Sequence, residues 1–187
     1  MKCSMRLFTA LDLPPDILGN LEALLDRLRP TAHIRWSPPA NLHITTKFIG
    51  EWPEDRFSEL TAALAALPVR DPVFIRVGPL GFFPTPRSPR SFHVAIQSPT
   101  LADLAAATEL AAASLGIEAE KRPYKPHLTL ARIKEPGGLA RLHEAIARLD
   151  SQDFGAFEAC SFFLYRSQMR SGGSVYTKLA EFPLSRS

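Results

Sequence analysis

His43-Ile44-Thr45-Thr46 and His127-Leu128-Thr129-Leu130 repeat one pattern, His-apolar-Thr-X, in alternating runs 84 positions apart (127 − 43). Residues two apart in a strand project to the same side. Each run therefore predicts a His and a Thr side by side on one face, with Ile44 or Leu128 turned to the other. Imidazole exchanges a proton near neutral pH, and a neighbouring hydroxyl can donate to an oxyanion. Two such pairs predict a symmetric acid–base site.

The sequence around the first run reads as strand, helix, His-Thr strand, helix, strand. Arg6 to Leu13 alternates as a strand, and Pro14-Pro15-Asp16 opens a helix with Ile17, Leu18, Leu21, Leu24, Leu25 and Leu28 on one face, ended by Pro30. Ile34-Arg35-Trp36 is a short extended piece. Asn41 to Ile49 is the first His-Thr strand, closed by Gly50. Pro53-Glu54-Asp55 starts a helix carrying Phe57, Leu60, Leu64 and Leu67, and Val73 to Val77 is a strand. Gly78 to Arg90, heavy in Pro, Gly and Arg, reads as a long loop.

The order then restarts. Ser91 to Gln97 is a strand, Thr100 caps a helix ended by Gly116, and His127 to Ile133 is the second His-Thr strand. A helix at Leu139 to Leu149 and one long strand from Phe154 to Tyr165 follow. The turn Arg170-Ser171-Gly172-Gly173 leads into Val175–Leu184, completing a closing hairpin over 154–184. Ala10 matches Ala95 at an offset of 85 (95 − 10), one more than the histidines. The expectation is a single two-lobed domain over 1–187 with repeat units of roughly 5–80 and 91–165. Its class is α+β, a bilobal, pseudo-two-fold duplicated unit with two antiparallel sheets lining a central cleft and helices on the outer faces.

With 45% hydrophobic and 22% charged residues the chain is globular. A net charge of +3 favours an anionic partner without establishing nucleic-acid binding. Cys3 and Cys160 form neither CxxC nor a disulfide framework, which fits a reducing compartment. The apolar run Leu7–Leu11 ends too early for a secretory core, and no stretch approaches the ~20 apolar residues of a membrane helix. The expected setting is the cytoplasm, as a monomer.

Two histidines facing a shared cleft can work on one phosphorus centre, one taking a proton from the attacking oxygen and the other protonating the leaving oxygen. Thr45 and Thr129, with a cation, can hold the non-bridging oxygens. Arg132 is the best-placed cation, although strict alternation turns it away from His127, so its role requires a bulge.

The chain resembles the two-histidine phosphoesterases, specifically the bacterial RNA 2′,3′-cyclic phosphodiesterases, also called 2′–5′ RNA ligases. The resemblance rests on Arg6-Leu7-Phe8-Thr9-Ala10-Leu11-Asp12-Leu13-Pro14, on Asn41-Leu42-His43-Ile44-Thr45-Thr46-Lys47-Phe48-Ile49-Gly50, on Arg122-Pro123-Tyr124-Lys125-Pro126-His127-Leu128-Thr129-Leu130-Ala131-Arg132, and on Tyr176…Phe182-Pro183-Leu184. It implies opening of an RNA 2′,3′-cyclic phosphate end, as on a tRNA half, to a 2′-phosphomonoester, reversible as ATP-independent 2′–5′ ligation, with no metal or nucleotide cofactor. It further implies that His43 is the proton donor and His127 the acceptor. Thr46 departs from the Leu common in the family, on the face away from the site.

Weaker candidates stand beside these. Phe48 and Tyr165 can stack on a base, with core packing the plainer alternative for Phe48. Arg170 in the terminal turn can flank a nucleotide or be solvated, and the same holds for Lys47, Arg87 and Arg90. His33 and His143 read as structural or solvated, as does His93 despite its place near the repeat axis. A zinc site is disfavoured, since no HxxxH or Cys cluster is present. Rival readings are a cyclic phosphodiesterase on ADP-ribose 1″,2″-cyclic phosphate or 2′–5′ oligoadenylate, and a non-catalytic RNA- or nucleotide-binding module.

Overall fold

Alternating and helical runs translate into nine strands and four helices among the residues the structure, a computed structural model, describes: 3–68, 71–135 and 138–184. The first sheet contains β1 (Ser4–Leu11), β3 (Ile44–Pro53), β8 (Ser161–Arg170) and β9 (Gly173–Pro183), in the order β3-β1-β8-β9. The second contains β2 (Arg35–Trp36), β4 (Val73–Phe83), β5 (Ser91–Gln97), β6 (His127–Arg132) and β7 (Ala156–Ala159), in the order β2-β6-β5-β4-β7. All strand pairs are antiparallel. The two His-Thr strands hold corresponding places, β3 beside β1 and β6 beside β5. The fold is α+β with two antiparallel sheets, as the sequence predicts.

The helices are α1 (Pro15–Leu28), α2 (Phe57–Ala65), α3 (Leu101–Ser114) and α4 (Ala140–Ala147). In α1 the residues Ile17, Leu21, Leu24, Leu25 and Leu28 are all buried, as their 3.6-residue spacing requires. They join Leu7, Leu11, Ile44, Ile75, Phe92, Val94 and Leu128 from both sheets in one continuous apolar core. Lys47 is buried on β3, with its Nζ 2.8 Å from Glu109 Oε1 on α3 and 3.0 Å from the Glu118 carbonyl. A buried ammonium needs such partners, so Lys47 ties sheet to helix and does not reach the cleft.

Three local expectations are corrected. Gly78–Arg90 is not all loop, because β4 runs on to Phe83 through a kink at Gly78-Pro79 that interrupts the alternation. A Cβ at Gly78 (φ +141°) would lie 2.2 Å from the Gln152 carbonyl oxygen, so only glycine passes there. Residues 154–165 are not one strand: β7 belongs to the second sheet and β8 to the first, with the switch at Cys160. Thr100 makes no side-chain cap. Ser98 Oγ instead accepts from the Leu101 and Thr100 amides, at 3.1 and 3.4 Å.

The last strands also exchange sheets. β4 follows the first His-Thr strand in sequence yet pairs with β5, while β8 follows the second and pairs with β1. Each sheet is thus assembled from both halves of the chain.

Candidate active site

The two His-Thr strands carry the same irregularity at the same place. In β3, Ala10 opposes Thr45 and Thr9 opposes Lys47, which leaves Thr46 as an extra residue. In β6, His93 opposes Thr129 and Phe92 opposes Ala131, which leaves Leu130 as the extra residue. Each is a β-bulge, which resets alternation for everything after it. Thr46 is buried, and its hydroxyl bonds that of Thr9 at 2.7 Å, away from the cleft as expected.

The bulges decide what joins each His-Thr pair. Arg132 opposes Ser91, on the face that carries His93, Ala95, His127 and Thr129. The bulge its role required is therefore present. By the same reset Phe48 opposes Phe8, on the face of Ala10 and Thr45. Phe48 is 63% exposed with its ring 6.2 Å from that of Phe8, so core packing is not its role. Phe48 and Arg132 stand at matching positions (132 − 48 = 84), one aromatic and one cationic.

Both imidazoles are anchored identically. His43 Nδ1 lies 2.7 Å from the Asn41 carbonyl, and His127 Nδ1 lies 2.7 Å from the Lys125 carbonyl. A carbonyl only accepts, so each Nδ1 carries the hydrogen and each Nε2 is left to exchange a proton. The His-Thr strands are also cross-stitched. The Tyr124 hydroxyl, ahead of β6, donates to the Thr45 carbonyl at 2.8 Å, and Ser37 Oγ, ahead of β3, donates to the Thr129 carbonyl at 2.9 Å. Burial pushes the Tyr124 phenol up, which keeps it a donor.

Their surroundings differ. His43 sits among the rings of Phe8 (centroids 4.8 Å apart), Tyr176 (5.1 Å, edge-on) and Tyr165 (6.5 Å). Burial lowers its pKa, opposed by the Asn41 carbonyl and the Asp12 charge and reinforced by the charge of His127. Lowering makes protonated His43 a stronger acid while reducing its population at neutral pH. Tyr165 stacks on Phe8 at 5.3 Å and donates to the Asp12 carboxylate, which Lys178 Nζ also binds at 2.7 Å. Burial, then the bond to Asp12, raises the Tyr165 phenol.

On the second sheet His127 meets Phe83 edge-on at 5.3 Å and His93 at 5.7 Å. His93 stacks on Phe83 at 3.9 Å against Gly81, where a Cβ would lie 2.8 Å from the His93 Nε2. Arg170 pairs with Gly173 at the β8–β9 tip, five positions beyond Tyr165, where alternation faces it the other way. Arg87 and Arg90 are exposed in the loop after β4, and His33 is exposed. His143 is not simply solvated, since its ring lies 4.8 Å from that of Phe82. Phe8, Asp12 and Tyr176 stand in the stretches that carry the family resemblance but are given no role there, and Lys178 and Phe83 are not singled out by the sequence at all. Asp12 and Lys178 are 166 positions apart, and only strand pairing joins them.

His93 is 6% exposed, and its Nδ1 has no hydrogen-bond partner. Burial, then the His127 charge, lowers its pKa to about 4. The unfolded chain, with His near 6.5, then binds the proton more readily than the fold. Stability from neutral His93 is present above about pH 6.5 and is lost as pH falls through about 4. Replacing it with Phe, as at Phe8 in the matching place on β1, should flatten that acid limb. Urea midpoints at pH 7 and pH 4.5 should diverge less in His93→Phe than in wild type; an equal divergence would remove His93 as the cause.

A family model described as LigT-like phosphoesterase matches residues 11–93 and again residues 94–176. The chain belongs to the LigT-like phosphoesterases. It is 30% identical over 183 residues to the RNA 2′,3′-cyclic phosphodiesterase of Methanothermobacter thermautotrophicus, covering 96% of this chain and 99% of that protein. It is 32% identical over 189 residues to the Thermus thermophilus protein of the same name, covering 96% and 90%. Among solved structures, one from Thermus thermophilus superposes with a TM-score of 0.82 at 30% identity over 96% of this chain and 98% of that one. Escherichia coli LigT complexed with 3′-AMP superposes with a TM-score of 0.78 at 26% identity over 98% and 100%. No helix among the described residues is long and apolar enough to cross a membrane.

Proposed function

We propose that this chain opens RNA 2′,3′-cyclic phosphate ends to 2′-phosphomonoesters by acid–base catalysis between His43 and His127, without a metal or nucleotide cofactor. One observation carries the reading: each histidine is fixed through Nδ1 to a backbone carbonyl beside a threonine, on matching bulged strands. The names of the relatives supply the substrate class.

His127 Nε2 takes a proton from water as its oxygen bonds to phosphorus. The bond from phosphorus to O3′ breaks, and protonated His43 delivers its proton to O3′. The products are a 2′-phosphomonoester and a 3′-hydroxyl, with protonated His127 and neutral His43 to be reset by solvent. Thr45, Thr129 and Arg132 hold the non-bridging oxygens where charge develops. Phe48 and Tyr165 offer faces for a base. With a 5′-hydroxyl RNA in place of water, the same step forms a 2′–5′ linkage: the 5′ oxygen bonds to phosphorus, the bond to O3′ breaks, and His43 protonates O3′.

The test is product identification on an RNA ending in a 2′,3′-cyclic phosphate, in EDTA, alongside ADP-ribose 1″,2″-cyclic phosphate and a 2′–5′ oligoadenylate. The expected product carries a 2′-phosphate, and turnover persists in EDTA. A 3′-phosphate product, turnover lost to EDTA and restored by zinc, or faster consumption of either small nucleotide would overturn the corresponding part. Binding of the cyclic end without consumption would favour a non-catalytic module.

A further inference from the structure

Arg35 on β2 and Arg132 on β6 are direct cross-strand partners. Directly opposed residues project from the same face with Cβ atoms about 5 Å apart. Two observations make that the cleft face. The next pair in the register, Trp36 and Ala131, turns inward, with Trp36 edge-on to buried Phe92 at 6.0 Å. Arg132 also opposes Ser91, in line with His93, Thr129 and His127.

Like charges directly opposed destabilise a sheet. Among the described residues neither arginine has a carboxylate partner, whereas Arg76 is paired with Asp153 and Arg166 with Glu54. Arg35 also reaches toward the other sheet. A Cβ on Gly173, at the β8–β9 tip, would stand 3.4 Å from an Arg35 terminal nitrogen. The Asn41 side chain donates to the Ser174 carbonyl at 2.8 Å and holds that tip in place.

The reacting phosphate is served by the His-Thr pairs and Arg132. Arg35 lies one strand further out, roughly 4.8 Å at the backbone, in the direction away from His127. We infer that Arg35 binds a second phosphate, the internucleotide phosphodiester adjoining the reacting end, while its neighbour Arg132 holds the reacting one. This rests on the proposed reaction and narrows its substrate to the end of an oligonucleotide. The fork of a guanidinium suits phosphate oxygens, and one phosphate on each fork relieves the repulsion between the two arginines.

The test compares adenosine 2′,3′-cyclic phosphate with the ApA dinucleotide bearing the same cyclic end. Wild type should prefer the dinucleotide in kcat/KM. Arg35→Met, which keeps the aliphatic stem, should cut that preference about tenfold, the size of one lost charged hydrogen bond, and through KM. Arg35→Lys should recover part of it. The fall of dinucleotide kcat/KM with salt should become shallower by ~0.7 in logarithmic slope in Arg35→Met. An equal effect of Arg35→Met on both substrates, or none on either, overturns the inference. If wild type opens neither compound, the proposed reaction fails separately, and equilibrium binding of the two decides this site: about tenfold weaker dinucleotide binding by Arg35→Met supports it, and equal binding overturns it.

Discussion

Alanine at His43 or at His127 should lower kcat for opening a 2′,3′-cyclic RNA end by at least ~10²-fold, since each removes the acid or the base from a transition state that needs both. KM should move little, because the threonines and Arg132 remain to hold phosphate. The double variant should cost about as much as the worse single one, as groups acting as a unit do not add. The pH dependence then assigns the roles. Wild type should give a bell whose limbs belong to the pair, because His43 senses the charge of His127. A proton donor must be charged, so the rate falls on the alkaline side once the pair loses its last proton, and burial of His43 moves that fall toward lower pH. A proton acceptor must be neutral, so the rate falls on the acid side once the pair takes up its second proton. His43→Ala should lose the alkaline limb and His127→Ala the acid one. The reciprocal loss would exchange the roles and keep the pair, and wild-type rates in both variants would remove the site.

Arg132→Ala should have the next largest effect, ~10²–10³-fold in kcat, the cost of removing one preorganised group aimed at developing negative charge. Arg132→Lys should restore only part, because an ammonium cannot reproduce the planar fork. The size of the effect rests on the Leu130 bulge, which puts Arg132 on the face of His127 and Thr129. A change confined to KM would make Arg132 a ground-state phosphate ligand only.

The repeated element order, the helical stripes and both His-Thr pairs were legible in the sequence because each is a local period. The bulges were not, since neither Thr46 nor Leu130 differs chemically from a regular strand residue. What marks them is the register of the partner strand. That is why Phe48 could be read as core and Arg132 had to be placed with a condition attached. The kink at Gly78-Pro79 hid the second half of β4 in a stretch whose composition reads as loop. The sheet switch at Cys160 was hidden because β7 and β8 are individually good strands. The enclosure of His43 by Phe8, Tyr165 and Tyr176 draws on three strands that are neighbours only after folding.

The exchange of last strands sets an order of assembly during synthesis. β2, β4, β5 and β6 have all emerged by Arg132, so the four-stranded body of the sheet bearing His127 can form from a nascent chain, with β7 added later at its edge. β1 and β3 also emerge early, but a two-stranded pair is marginal alone, and their partners β8 and β9 are made last. The pocket around His43 therefore closes only after Pro183 leaves the ribosome, and a chain truncated before Ser161 would carry both His-Thr histidines yet lack two of the three rings that surround the first.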